Sequence, residues 1–168
     1  MENGKNYSFQ IDESNHRLII KRVYPAPLDQ VWDAFTKAEL LDQWWAPKPW
    51  KSKTKSQDFK EGGKWLYAMQ GPDGEQVWSV SEYLQIEPKR SFQVMDAFTD
   101  ETGKVDATQA GSIWQNSFKE VENGTEVSNS ISFNSLADMQ AYLEMGFKEG
   151  YEMGQQNLID WLNDNKNK

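Results

Sequence analysis

The stretch from Pro25 to Trp50, PAPLDQVWDAFTKAELLDQWWAPKPW, constrains the fold most, because it confines two short helices between prolines and crowds tryptophans onto them. Pro25 and Pro27 end whatever precedes, since proline offers no backbone N–H to a ladder. Leu28, Val31, Trp32 and Phe35 then fall at i, i+3, i+4 and i+7, one apolar face of a helix. Thr36 is expected to cap a second helix, with Glu39 three residues on completing a capping box, and Leu40, Leu41, Trp44 and Trp45 form its apolar side. Pro47 and Pro49 close the pair.

The flanking pattern is different. Residues 1–15 are polar and read as a flexible N-terminal arm, after which His16 to Tyr24, HRLIIKRVY, is β-branched enough for a first strand. From Trp50 to Phe133 short runs of period two alternate with turn chemistry at Gly62-Gly63, Pro72-Asp73-Gly74, Glu87-Pro88-Lys89, Thr99 to Thr108 and Asn123-Gly124. That makes six strands joined as hairpins. After Asn134 the chain returns to helix, with Ser135 as cap and Asp138 at N3, and one long helix is expected to about Asn163. Residues 164–168 read as a polar tail. The order is that of a single α+β domain, residues 16–163, whose seven-stranded antiparallel sheet must cover its apolar face with the last helix.

Four blocks in this order resemble a known family. The first is Ala26-Pro27, then Val31-Trp32-Asp33-Ala34-Phe35-Thr36, then Leu41 with Gln43-Trp44-Trp45-Ala46-Pro47. The second is Gly62-Gly63-Lys64-Trp65 with Tyr67 and Met69, leading into Gly71-Pro72-Asp73-Gly74. Ile86-Glu87-Pro88 with Arg90 is the third; Met145-Gly146-Phe147, Glu149-Gly150-Tyr151 and Leu158 make the fourth. The chain resembles a small member of the family related to the activator of the heat-shock protein 90 ATPase, within the START-like (SRPBCC, helix-grip) superfamily. The resemblance implies a sheet curled around the long C-terminal helix, two short helices supporting one end, and a cavity between helix and sheet. It implies little about activity, since the superfamily spans carriers, cyclases, hydroxylase subunits and co-chaperone domains.

Strand alternation supplies the candidate lining of that cavity. Trp65, Tyr67 and Met69 share one face; Phe92, Val94, Asp96 and Phe98 another; then Trp114, Asn116 and Phe118, and Val127, Asn129, Ile131 and Phe133. Aromatics are 13% of the chain, enough to line a pocket as well as a core. Asp96, Asn116 and Asn129 interrupt these apolar faces, and buried polar groups must find partners in each other, in water or in a ligand. Pairing 122 with 125 or 121 with 124 in the Asn123-Gly124 hairpin puts Asn116 and Asn129 on the same face, opposite or diagonal, and with Asp96 they are candidates for the polar end of the cavity. One of Trp44 and Trp45 is expected in the core and the other at the rim, because adjacent helical residues diverge by about 100°; Trp44 is carried as the ligand contact. Gly146, Gly150 and Gly154 mark one helix face, serving close approach to the sheet, room for a ligand, or both. With them Phe147, Gly150 and Tyr151 complete the expected binding set.

Other chemistries are disfavoured. A net charge of −8 opposes phosphate-backbone binding. Without cysteine there are no disulfides, thiolate nucleophiles or thiolate metal sites. His16 is the only histidine and sits at the start of an edge-like first strand, and the acids show no ligand spacing, so no catalytic group, metal or cofactor is expected. The start has no apolar signal segment and no run approaches the ~18 apolar residues of a membrane span, so a cytoplasmic location is expected. The leading expectation is a soluble protein that encloses a small hydrophobic or amphipathic ligand. A co-chaperone-like interaction domain of the stress response, or a cyclase- or hydrolase-like enzyme using Asp96, Tyr67 and Tyr83, are the alternatives. A protein partner or homodimer would use an outward sheet or helix face.

Overall fold

In the computed structural model, which describes residues 6–166, a single antiparallel sheet of eight strands curls around two consecutive C-terminal helices. The strands are β1 (Tyr7–Asp12), β2 (Arg17–Tyr24), β3 (Lys51–Gln57), β4 (Lys64–Gln70), β5 (Gln76–Glu87), β6 (Ser91–Thr99), β7 (Ser112–Val121) and β8 (Gly124–Ser132). The helices are α1 (Leu28–Thr36), α2 (Ala38–Trp44), α3 (Leu136–Glu144) and α4 (Phe147–Asn165). The spatial order β1-β2-β8-β7-β6-β5-β4-β3 sets the first strands beside the last one, and the sheet does not close. The six strands expected between Trp50 and Phe133 are all present.

The eighth strand comes from the expected arm. Tyr7, Phe9 and Ile11 alternate with polar residues, and Tyr7 and Phe9 are 3% and 8% exposed. β1 pairs with β2 from Tyr7↔Arg22 to Asp12↔Arg17. Asp12 shapes the turn between them by accepting from Asn15 N and Nδ2, and His16 takes a left-handed φ of 51°. An apolar alternation only three positions long, set in a polar stretch, is a faint signal, and the arm reading fails for residues 7–15. Residues 1–5, and 167–168 of the expected tail, lie outside the described residues.

The C-terminal helix is also not one helix. Gly146 adopts φ 93°, a left-handed conformation that glycine enters without cost, and α3 ends there while α4 begins. Gly146 N–H returns to Leu143 O at 3.0 Å, closing α3, and Gly146 O accepts from Gly150 N–H at 3.0 Å, opening α4. At the N-terminus of α3, Ser135 caps by accepting from Asp138 N–H at 3.1 Å, as the sequence indicates. At α2 the capping box does not form. Thr36 stays in α1, its hydroxyl donating to Trp32 O at 2.8 Å, and Lys37 fills the cap position without a side-chain bond.

The core lies between the concave sheet face and the helices. Leu158 and Leu162 of α4 and Leu18, Ile20 and Ile131 of the sheet are wholly buried, each side chain contributing roughly 1.5–3 kcal/mol. At the other end Trp32 packs edge-on to Phe92 and Phe118, and Phe35 joins Trp44 at 4.9 Å between centroids. Irregular register at Thr54/Ser56 and at Tyr83/Gln85 adds twist to the sheet. β3 is the far edge. Its Lys51, Lys53 and Lys55 are exposed, while Ser52 and Thr54 donate to Asp42 of α2.

Candidate functional site

α4 packs closely on the end of α2 around Gly154 and leaves open space one turn earlier, at Gly150. A β-carbon on Gly154 would sit 3.0 Å from Trp45 O and 3.5 Å from Trp44 O, so glycine permits the helix to touch the end of α2. Asn157 secures the contact by donating to the carbonyls of Trp44 and Ala46. One turn earlier a β-carbon on Gly150 would meet only Pro47, at 3.8 Å. The expected glycine stripe thus divides into a break at Gly146, open space at Gly150 and close approach at Gly154, the approach being to α2 rather than to the sheet.

The open end is a cavity of about 310 Å³. Its sheet wall is Tyr67 and Met69 of β4, Val77 and Ser79 of β5, Asp96 to Phe98 of β6, and Ser112 and Trp114 of β7. Tyr142 and Met145 come from the end of α3, and Phe147, Gly150 and Tyr151 from α4. Trp45, Pro47 and Trp50 close it from the segment after α2. Apart from tyrosine phenols, Asp96 is the only ionisable group among these lining residues.

The tryptophan pair divides as expected, with the roles reversed from the one carried forward. Trp44 is 1% exposed, donates its indole N–H to Ala34 O at 2.9 Å and belongs to the core. Trp45 lines the cavity instead, because the next helical residue points about 100° away. Its indole N–H donates to the Tyr67 hydroxyl at 3.0 Å, and its ring lies 5.8 to 6.0 Å from Trp65, Trp114 and Tyr151. Tyr67 in turn stacks on Trp65 at 3.9 Å. Phe147 and Tyr151 stack at 5.3 Å along α4.

Behind the main cavity a space of about 30 Å³, roughly the share of one water molecule, is bounded by Trp65, Tyr83, Asn116 and Asn129, with Trp45, Asp96, Trp114 and Tyr151 common to both. Asn129 Nδ2 donates to Asn116 Oδ1 at 2.6 Å, and the Tyr151 hydroxyl donates to Asn129 Oδ1 at 2.7 Å. The asparagines and Trp65 therefore stand one layer inside the main cavity and reach it through Tyr151 and Tyr67.

Asp96 carries the charge of the site. It is half-buried and lines both the main cavity and the small space behind it. Burial pushes it up to about 7, against which the hydrogen bond donated by Ser81 Oγ acts in the opposite direction. Burial, with Asp96 adding, holds Tyr67 well above the usual phenol range and pushes Tyr83 up to about 12. Tyr142 is raised too, first by burial and then by Asp96.

Of the residues expected to line the cavity, Tyr67, Met69, Asp96, Phe98, Trp114, Phe147, Gly150 and Tyr151 do so. Val77 and Ser79 were missed because the irregularity at Tyr83/Gln85 shifts the inward phase of β5, so one uninterrupted alternation does not describe the strand. Ser112 was within reach, two residues before Trp114 on the same face. Tyr142 had no local signal, since it depends on the break at Gly146. Among the described residues no group of three or more acids or histidines converges as a metal site, and no helix is long and apolar enough to cross a membrane.

The sequence model of the family described as Activator of Hsp90 ATPase homolog 1-like protein matches residues 25–160. Solved structures are similar across nearly the whole chain. A crystal structure from Mycobacterium smegmatis is 25% identical with a TM-score of 0.86, covering 92% of this chain and 95% of that one. A solution structure from Arthrobacter aurescens is 26% identical with a TM-score of 0.87, covering 94% and 91%. Another from Staphylococcus epidermidis is 28% identical with a TM-score of 0.81, covering 92% and 94%. No protein of curated function matches the chain.

Proposed function

The chain belongs to the Activator of Hsp90 ATPase homolog 1-like family, and from that premise we propose that it is a soluble cytoplasmic protein that encloses a small apolar or amphipathic molecule between its sheet and its C-terminal helices. The observation that carries this reading is the cavity itself. Its volume of about 310 Å³ falls within the usual range of small-molecule sites, at roughly 300–1,000 Å³. Aromatic and aliphatic side chains dominate the wall, so burial of a ligand's apolar surface gains roughly 25 cal/mol per Å². Ser79, Asp96 and Ser112 lie on the adjacent strands β5, β6 and β7, where they would orient one end of the ligand.

Native mass spectrometry of the purified protein, followed by organic extraction, tests the reading. A retained apolar molecule at stoichiometric level supports it. If the protein is empty, and a panel of apolar and amphipathic compounds neither raises its melting temperature nor quenches its tryptophan fluorescence, the reading fails.

Asp96 favours a second reading, cyclase- or hydrolase-like chemistry in the same cavity. A carboxyl pushed up to about 7 is poised to take or give a proton near neutral pH. Turnover of any cavity ligand that is lost in a folded Asp96→Asn variant supports this reading; unchanged turnover in that variant excludes Asp96 from it.

A further inference from the structure

The charged groups of the cavity are not balanced, since its wall holds a carboxyl and, among the described residues, no cationic side chain. Two of its three lining indoles already spend their N–H groups inside the protein, Trp45 on the Tyr67 hydroxyl at 3.0 Å and Trp114 on Ser112 Oγ at 3.2 Å. No lysine, arginine or histidine lines it among the described residues. The Asp96 carboxyl, by contrast, takes a single hydrogen bond, from Ser81, and has acceptor capacity to spare. An anionic ligand would meet a like charge and no counter-cation. A ligand presenting N–H donors and a positive charge would meet the one carboxylate of the wall, with room to accept from it.

The aromatic wall adds to this asymmetry. Trp45, Trp114, Phe147 and Tyr151 line the same cavity, with neighbouring rings 5.3 to 6.0 Å apart. Ring faces attract cations and repel anions through their quadrupole, and several rings around one site form the kind of cage that holds ammonium groups.

We propose that the cavity is selective for organic amines in their protonated form, the ammonium group paired with Asp96 and the apolar body held among the rings of α4 and β7. The inference rests on the reading of the cavity as a ligand site and names the chemical class of its ligand. A bound ammonium favours the ionised carboxylate, so affinity for the amine rises as pH passes upward through about 7. The groups facing Asp96 do not interfere with that profile. Ser81 and Ser112 do not titrate, and the phenols of Tyr67, Tyr83 and Tyr142 are all raised, so they stay neutral there.

Calorimetric titration with three probes of matched body, naphthylethylamine, naphthylethanol and naphthylacetate, tests this at about pH 8, where Asp96 is ionised and the amine still protonated. The amine is expected to bind about tenfold tighter than the alcohol, with the acetate weakest. Asp96→Asn should bring the amine level with the alcohol. Ser81→Ala keeps the carboxyl but removes the donor that holds it down, so the amine preference should set in at higher pH than in the wild type; this variant serves if the asparagine one does not fold, and an unmoved onset overturns the role of the carboxyl. Equal or tighter binding of the alcohol or the acetate overturns the amine selectivity and leaves the ligand site standing. An amine preference that survives Asp96→Asn overturns the role of the carboxyl. Binding of none of the three overturns the selectivity, and a failed apolar panel in addition overturns the site.

Discussion

Asn116 and Asn129 are direct partners across the β7–β8 ladder, and their side chains bond to each other at 2.6 Å before Asn129 takes the Tyr151 hydroxyl from α4. One buried amide pair thus joins the sheet to the helix that closes the cavity. All three residues are buried, so a polar group that loses its partner here is costly.

Asn129→Leu leaves the Tyr151 hydroxyl and the Asn116 amide unsatisfied, and should cost about 2–4 kcal/mol in urea denaturation. Adding Tyr151→Phe to that variant should cost less than Tyr151→Phe does in the wild type, because the hydroxyl has already lost its acceptor. Strictly additive costs would show that the bond does not exist. Ligand affinity should fall in Asn129→Leu as well, since Tyr151 loses the contact that orients it.

The two helical glycines should respond oppositely to alanine. Gly150→Ala meets open space and replaces the poorest common helix former, so stability should rise by about 0.5–1 kcal/mol while the cavity narrows. Gly154→Ala drives a methyl group against the Trp45 carbonyl at 3.0 Å, and should cost about 1–3 kcal/mol. Thermal melts of the two variants, measured together, decide it; a shift of the same sign in both contradicts the division of the helix.

Asp96 makes stability pH-dependent. Its carboxyl titrates near 7 in the folded protein against an ordinary value of 3.8, so between those values the folded state keeps a proton that the unfolded chain releases. Stability is therefore highest below the lower value and declines as pH rises through the window, by at most about 4 kcal/mol, and less insofar as the carboxyl opens to water in the cavity. Asp96→Asn should flatten that slope, gaining over the wild type at about pH 8 and little at about pH 4. Parallel pH profiles of the two proteins would contradict the burial of the carboxyl.

Neighbouring tryptophans should separate fold from cavity. Trp44→Ala removes a wholly enclosed ring and its bond to Ala34 O, and should cost about 3–5 kcal/mol. Trp45→Ala opens the cavity wall, so its larger effect should be on binding of an apolar probe and on the fluorescence change that accompanies it. A Trp45 variant that binds as the wild type does would remove that ring from the site.

What the sequence made legible was whatever repeats at short range. The period-two runs from Trp50 to Phe133 locate six strands, and the Asn123-Gly124 turn puts Asn116 and Asn129 on one face, opposite or diagonal; the observed register makes them directly opposite. What stayed hidden depends on single backbone events. Gly146 reads as one glycine of a helical stripe, yet its positive φ divides the helix and brings Tyr142 to the cavity. The choice between Trp44 and Trp45 needs the rotation of α2, which a helix this short does not fix by periodicity. Tyr7 and Phe9 are buried only because β2 has a free edge to receive them, a fact of topology rather than of local pattern.

An open sheet leaves two rims that could recruit another chain. On one rim β3 projects Lys51, Lys53 and Lys55 outward, and a second copy laid along it would bring like charges together, while its irregular register at Thr54/Ser56 spoils the template. On the other, β1 takes the position that β2 would otherwise offer, and it is short, from Tyr7 to Asp12. A sheet that does not close is thereby guarded against polymerising strand by strand, and aggregation, where it occurs, should begin with the peeling of β1 from Arg17–Tyr24.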